Sequence, residues 1–413
     1  MSVPESPSPD PEPNLDVQRA EGSGGWCPDD SAAGEISGPS PVSSRVAVQR
    51  PLIPGPGPFE SIAWLLGVFL VHLVAVLFAF IVVVLIAAGT SGNTAFLKDP
   101  AAMNQLMQQN LGVVTGGEQF LFVLAVLLAV GLRLACPPGT LASPWDRLLN
   151  RLGRVGPGAS HLAVLVAVVV PVSLACGQLF LVVDRAWRHL VESIPGLPEV
   201  QSVQEVNVIG ALAEDLSLGG LVFVLAVLPA IGEELVFRGV IGRGLVARFG
   251  VVPGVLVTSM LFALVHVHPA HALSVFPLGV LLHVLYLSSR SILAPILLHF
   301  LINGWAAVVT KLGEQMGLGT LEATQVVPWP VLLTAVMASV CALVFFWRSR
   351  IEFQLADGRW WWPAYRSVEC PHEAATTRRL SPPRSLVAAV CMSLLAFYLT
   401  VGLEMSRQVV EGQ

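Results

Sequence analysis

The chain reads as an all-α polytopic membrane protein: a transmembrane helical bundle of about nine spans behind a disordered N-terminal tail. Three observations predict this. Of the 413 residues, 54% are apolar and only 12% are charged, against a charged fraction of roughly 25% in soluble domains. The mean hydropathy is +0.71. The apolar residues also fall in long blocks, each near or slightly below the ~20 residues that carry a helix across the hydrocarbon core. Too little polar surface is left to coat a water-soluble globule, which excludes a cytosolic enzyme. A net charge of -5 excludes a strongly basic nucleic-acid binder, so no nucleic-acid partner is expected.

Residues 1–57 are rich in Pro, Ser, Gly, Asp and Glu and hold no apolar run long enough to pack, so they read as a disordered tail. The first apolar block begins near Ile62, too late for an ordinary secretory signal peptide, and the tail is expected to be retained. Nine blocks follow, at about 61–88, 111–133, 161–183, 217–241, 251–267, 272–288, 291–310, 329–347 and 385–403. Residues 58–216 hold the first three helices and their loops, 217–310 a central core, and 311–413 two further helices joined by a Trp- and Arg-rich loop. The fifth block is the shortest and reads as a partial span. Pro171, Pro229, Pro277 and Pro295 lie inside blocks, which membrane helices tolerate because neighbours re-satisfy the freed carbonyls. Residues 95–110 are expected to form a short interfacial helix, and Arg359-Trp360-Trp361-Trp362-Pro363 an aromatic anchor at headgroup level.

Loop charge orients the bundle. If all nine blocks span, 18 of the 23 Lys and Arg residues share one side with the N-terminal tail. The positive-inside rule then places the N-terminus in the cytoplasm and the C-terminus outside, in a multi-pass protein of the plasma (inner) membrane whose first partner is membrane lipid. Six cysteines without a C-x-x-C pair signal neither a disulfide framework nor a thiolate zinc site. Cys176, Cys341 and Cys391 lie in apolar blocks and read as small core residues, and Cys370-Pro-His372 reads as a chance pairing in a loop.

Chemistry concentrates in block four. Gly232-Glu233-Glu234-Leu235-Val236-Phe237-Arg238-Gly239 sets two carboxylates at membrane depth, where an ionised acid costs on the order of 3 kcal/mol or more. Glu234 and Arg238 are spaced i, i+4 and can pair on one helix face. That leaves Glu233 without a partner, the condition of a carboxylate poised as a general base. A breaker cluster at Gly250–Gly254 separates blocks four and five. In an antiparallel hairpin about this turn, Glu233 and His266 both lie ~25 Å from it, with part of that length beyond the bilayer surface. Phe262 is one turn before His266 and packs on the same face. In block seven His299 and Asn303, also i, i+4, put an imidazole and a carboxamide on one face of an otherwise apolar helix. A helix-packing hydrogen bond accounts for either group taken singly. His268 and His271 read as a histidine-lined loop end, and His72, His161, His189, His283 and His372 have no compelling sequence neighbours.

Glu-Glu-x-x-x-Arg (233–238), Phe-x-x-x-His (262–266) and His-x-x-x-Asn (299–303) together resemble the CPBP intramembrane endopeptidases, in order and approximate spacing. That family includes the type II CAAX prenyl endopeptidases and the bacteriocin-processing and immunity proteins. The resemblance covers roughly 217–310. It implies that Glu233 activates the attacking water, that His266 assists or ligates a metal, that His299 and Asn303 stabilise the oxyanion, and that Glu234 and Arg238 form the supporting ion pair. It also implies a protein or peptide substrate, prenylated or not. Glu233, His266 and His299 could make a two-His, one-carboxylate zinc site with one open position. Asn303 is a poor zinc ligand and no His-Glu-x-x-His helix is present, so a metal-free, glutamate-driven mechanism stays open beside it.

Two rivals remain. One is a non-catalytic scaffold or immunity-type protein of the same fold. The costly polar groups at 233, 266, 299 and 303 argue against it. The other is an ion-coupled transporter using Glu233 and Glu234 as a relay, but no internal repeat of the kind such proteins show is evident.

Overall fold

The structure is a computed structural model that describes residues 55–411, apart from 93, 136–142, 154–155, 195–207, 314, 316–325, 356–357 and 359–373. The tail expected over 1–57 lies, as far as residue 54, outside the described residues. So do the Trp360–Trp362 anchor, Cys27, Cys136, Cys370 and His372. The chain divides into two units, Met1–Pro51 and Leu52–Gln413, and everything described belongs to the second.

Eight helices are long and apolar enough to cross a membrane. They are α1 (Pro58–Ser91), α3 (Leu111–Ala135), α6 (Val169–Glu192), α8 (Leu218–Phe249), α10 (Pro269–Ser289), α11 (Leu293–Leu312), α12 (Trp329–Arg348) and α13 (Arg384–Glu411). The ninth expected span is α9 (Val251–Leu264), an apolar helix of 14 residues. At 1.5 Å per residue it covers about 21 Å, short of the ~30 Å hydrocarbon core. A turn at Val265–His268 then leads into α10. The shorter α2 (Pro100–Gln109) is the expected interfacial helix. Asp99 caps it by accepting from the Ala101 N–H at 2.9 Å, and none of its residues is buried. The remaining short helices are α4 (Pro144–Leu152), α5 (Ala159–Ala167) and α7 (Val208–Asp215).

A two-stranded antiparallel sheet, unexpected from the apolar blocks, joins α12 to α13. Strand β1 (Ile351–Leu355) pairs with β2 (Ala374–Arg379), Ile351 opposite Arg379. Ile-Glu-Phe-Gln-Leu alternates in polarity as a half-buried strand does, and the buried Arg290 fastens it by donating to the Ile351 carbonyl at 2.9 Å.

Long-range bonds sort the ends of the helices into two groups. At one end Arg248 donates to the Pro56 carbonyl (3.0 Å), Ile292 N–H to the Leu152 carbonyl (3.1 Å), and Arg133 to Glu60 (2.8 Å). At the other, the Lys311 ammonium donates to the Ala213 and Leu216 carbonyls and the Gly112 N–H to Asp215. Between the two ends the main core packs Phe122 and Val126 of α3 against Val236, Phe237, Val240 and Ile241 of α8, together with Phe262 and Tyr286. Outward faces carry exposed Leu, Val, Ile and Phe, as on α1 at Leu66, Leu70, Leu73 and Leu77. A helix so faced suits lipid as its solvent.

Candidate active site

Helix α8 is not uniform. Two π-helical turns, Phe223–Val227 and Phe237–Gly242, bracket a regular stretch, Leu228–Val236, that has Pro229 in its first turn and holds both carboxylates. Such turns lodge an extra residue and rotate the next stretch of helix about its axis, and they concentrate at functional sites. Here they aim Glu234 and Arg238 inward together. Both are fully buried, and Arg238 Nη1 donates to Glu234 Oε1 at 2.7 Å. Arg238 Nη2 donates to the Gly279 carbonyl on α10 at 2.9 Å, and the guanidinium stacks over the Phe262 ring at 4.4 Å.

The same Glu234 oxygen holds His299. Its Nδ1 lies 2.9 Å from Glu234 Oε1. A carboxylate only accepts, so this contact assigns the proton to Nδ1 and turns Nε2 toward Glu233. The distance from Nε2 to Glu233 Oε2 is 3.9 Å. That is too long for a direct hydrogen bond and fits a bridging water. Glu233 is partly exposed, while its Oε2 is buried and has no hydrogen-bond partner among the described residues.

His266 lies just beyond the end of α9, in the turn where Val267 takes a positive φ of 59°. Its Nδ1 donates to the Phe262 carbonyl at 3.1 Å, so Nε2 is the nitrogen open to the pocket. Phe262 is the shared surface: the rings of His266 and His299 meet it edge-on, with centroids 5.3 and 5.9 Å away. His271 packs against His266 at 4.5 Å, and Phe180 flanks His268 and His271. Asn303 Nδ2 donates to the Leu225 carbonyl at 3.1 Å, inside the first π turn. One of its two amide hydrogens is therefore engaged in holding that turn.

Glu234, Arg238, His299 and Phe262 thus meet in one contact network, with Glu233 3.9 Å from His299, His266 against Phe262 and Asn303 one turn from His299. Among the described residues no group of three His, Cys, Asp or Glu side chains is arranged to hold a metal ion. The Nδ1 bonds of His266 and His299 leave each Nε2 as the remaining nitrogen, as in histidines that ligate metals, while the Phe262 ring meets both imidazoles.

The sequence reading missed a second polar pair. His72 of α1, which has no compelling sequence neighbour, binds Glu118 of α3, and its ring stacks on Phe122 with centroids 4.1 Å apart. Phe122 in turn lies against Gly232, where an added Cβ would sit 2.4 Å from its ring. Glu233 is within electrostatic reach of His72. The available signal was a carboxylate eight residues into the second apolar block and a histidine in the middle of the first.

Residues 216–305 match the family model described as type II CAAX prenyl endopeptidase, Rce1-like. The match spans all three motifs, and over this region the resemblance to CPBP membrane endopeptidases holds. No curated protein and no solved structure matches the chain.

Proposed function

We propose that this multi-pass membrane protein, similar over 216–305 to Rce1-like prenyl endopeptidases, is an intramembrane endopeptidase that cleaves a peptide bond near the membrane by general-base hydrolysis at Glu233. One observation carries the reading: an unpartnered carboxylate oxygen, buried beside His299, next to a carboxylate that Arg238 and His299 already occupy.

Those contacts set the division of labour. Water between Glu233 and His299 attacks the substrate carbonyl, and Glu233 takes its proton. Glu233 then delivers that proton to the departing amide nitrogen as the C–N bond breaks. Protonated His299, braced by Glu234, donates from Nε2 to the developing oxyanion. The second amide hydrogen of Asn303 aids it. With His299 protonated, the two carboxylates, the guanidinium and the imidazolium sum to zero charge, which limits the cost of burying them at membrane depth. His266 lines the pocket on the Phe262 side. The positive-inside bias supports an N-terminus in the cytoplasm and a C-terminus outside.

The test uses full-length protein in proteoliposomes and paired peptides carrying a CAAX-type tail, with and without a prenyl group. Glu233→Gln should lower the cleavage rate by about 10²- to 10⁴-fold while the protein elutes and unfolds as the parent does. Wild-type rates in Glu233→Gln would end the reading, and no cleavage of either peptide by the parent would favour a scaffold. Ion flux that survives the substitution would favour the transporter. The metal is tested separately: full activity after chelation, with no stoichiometric metal, leaves the reaction to these side chains. Loss restored by zinc would make the reaction metal-dependent, with Glu233, His266 and His299 as the candidate ligands.

A further inference from the structure

Helices α1 and α3 bring a polar pair to the site from outside residues 216–305, and the hydrolytic reading leaves it without a task. His72 of α1 bonds Glu118 of α3 through Nδ1, with Glu118 buried and His72 partly so. Ionisable groups at membrane depth are costly and mark function more often than architecture. Joining two helices does not require them, since packed apolar side chains in place of a buried ion pair are often as stable or more so. The pair calls for a role that apolar packing would not fill.

Its contacts lead to the general base. A carboxylate only accepts, so the proton of the contact sits on His72 Nδ1, and the bond fixes the orientation of the ring. The ring lies on Phe122, with centroids 4.1 Å apart and planes 23° from parallel. Phe122 is fully buried and lies against Gly232, where a Cβ would come 2.4 Å from its ring. Gly232 immediately precedes Glu233. Glu118, His72, Phe122 and Gly232 thus form a series of contacts that ends at the backbone of Glu233. That residue needs such support. Glu234 is held by Arg238 and His299. Glu233 Oε2, by contrast, has no hydrogen-bond partner among the described residues, and His299 stands 3.9 Å away. The carboxylate that must meet a water is therefore placed by its backbone and by packing. His72 is also within electrostatic reach of it.

We propose that His72, braced by Glu118, is a positioning residue for the general base: its ring pins Phe122 against Gly232 and so fixes where the Glu233 carboxylate stands. The inference rests on the hydrolytic reading of Glu233 and adds α1 and α3 to the machinery. His72 acts through Phe122 and touches no reacting atom. A misplacement of about 1 Å at a reacting group can cost about 10²-fold in rate.

The test follows kcat and KM of full-length protein in proteoliposomes on the CAAX-type peptides, beside its unfolding temperature. His72→Leu/Glu118→Leu removes ring and brace together and strands no charge. It should unfold at or above the parent temperature, while kcat falls about 10- to 10²-fold at a KM within about twofold of the parent. Glu118→Leu keeps the imidazole without its brace and should show the same split. Glu118→Gln keeps an acceptor for the Nδ1 proton and should hold kcat within about threefold. In a Glu233→Gln background the double variant should lower the residual rate no further, as expected of groups that act as one unit. Parent kcat in the folded double variant overturns the inference and leaves the pair a fastener of α1 to α3. So does a failure of both apolar variants to fold. A loss in Glu118→Gln as deep as in Glu118→Leu, or a further loss on top of Glu233→Gln, overturns it as well. Parent rates in Glu233→Gln sink the hydrolytic reading and this inference together. Loss in Glu233→Gln beside parent kcat in the double variant sinks the inference alone.

Discussion

Glu233 and Glu234 are chain neighbours with opposite surroundings. One oxygen of Glu234 takes both Arg238 and the Nδ1 proton of His299, and neither Glu234 nor Arg238 is reached by solvent. Removing that acid strands a guanidinium in a dry interior. Glu234→Ala should therefore cost about 3–5 kcal/mol of stability, seen as a large fall in the detergent-solubilised unfolding temperature. Glu233→Gln should leave that temperature unchanged. The i, i+4 pairing of Glu234 with Arg238 is legible in the sequence because it lies within one helix. The contact of His299 with Glu234 is not, because it depends on how α11 is rotated against α8. For the same reason Asn303 could be placed beside His299, but its bond to the Leu225 carbonyl could not be foreseen: nothing in Phe223–Val227 marks a π turn.

At the scale of helices, α8 is held by close approach as well as by polar bonds. Gly232 lets Phe122 of α3 lie flat against the residue before Glu233. Phe122 is fully buried and stacked against the His72 ring. Gly232→Ala should thus cost about 1–3 kcal/mol through overpacking, outweighing the better helix propensity of alanine. Phe122→Leu should restore part of the loss in a double-mutant cycle read by unfolding. The His72–Glu118 pair fastens α1 to α3 in the same neighbourhood. His72→Ala leaves Glu118 buried without its partner and should destabilise more than the double change His72→Ala/Glu118→Ala. An additive result would mean that the two groups do not depend on each other.

For the molecule as a whole, the long-range bonds gather the helix ends into two sets, and Arg133, Arg248, Arg290 and Arg350 belong to one of them. This is the charge asymmetry expected of a bundle oriented by the positive-inside rule. In a cysteine-replaced protein in intact cells, Lys98→Cys should react with a membrane-impermeant maleimide. Arg384→Cys should react only after permeabilisation. The reverse pattern would invert the proposed orientation.

Composition and block length by themselves determined that the chain is a helical membrane protein with its polar chemistry in three segments, because a bilayer allows few other arrangements of so apolar a chain. Residue spacing also determined the Glu234–Arg238 pair. Only the tertiary structure decided which nitrogen of His299 faces Glu233, that α9 stops short in a turn, and that α1 and α3 supply a second charged pair. Those features arise from the rotation and separation of helices distant in sequence, which side-chain packing sets and no single segment records.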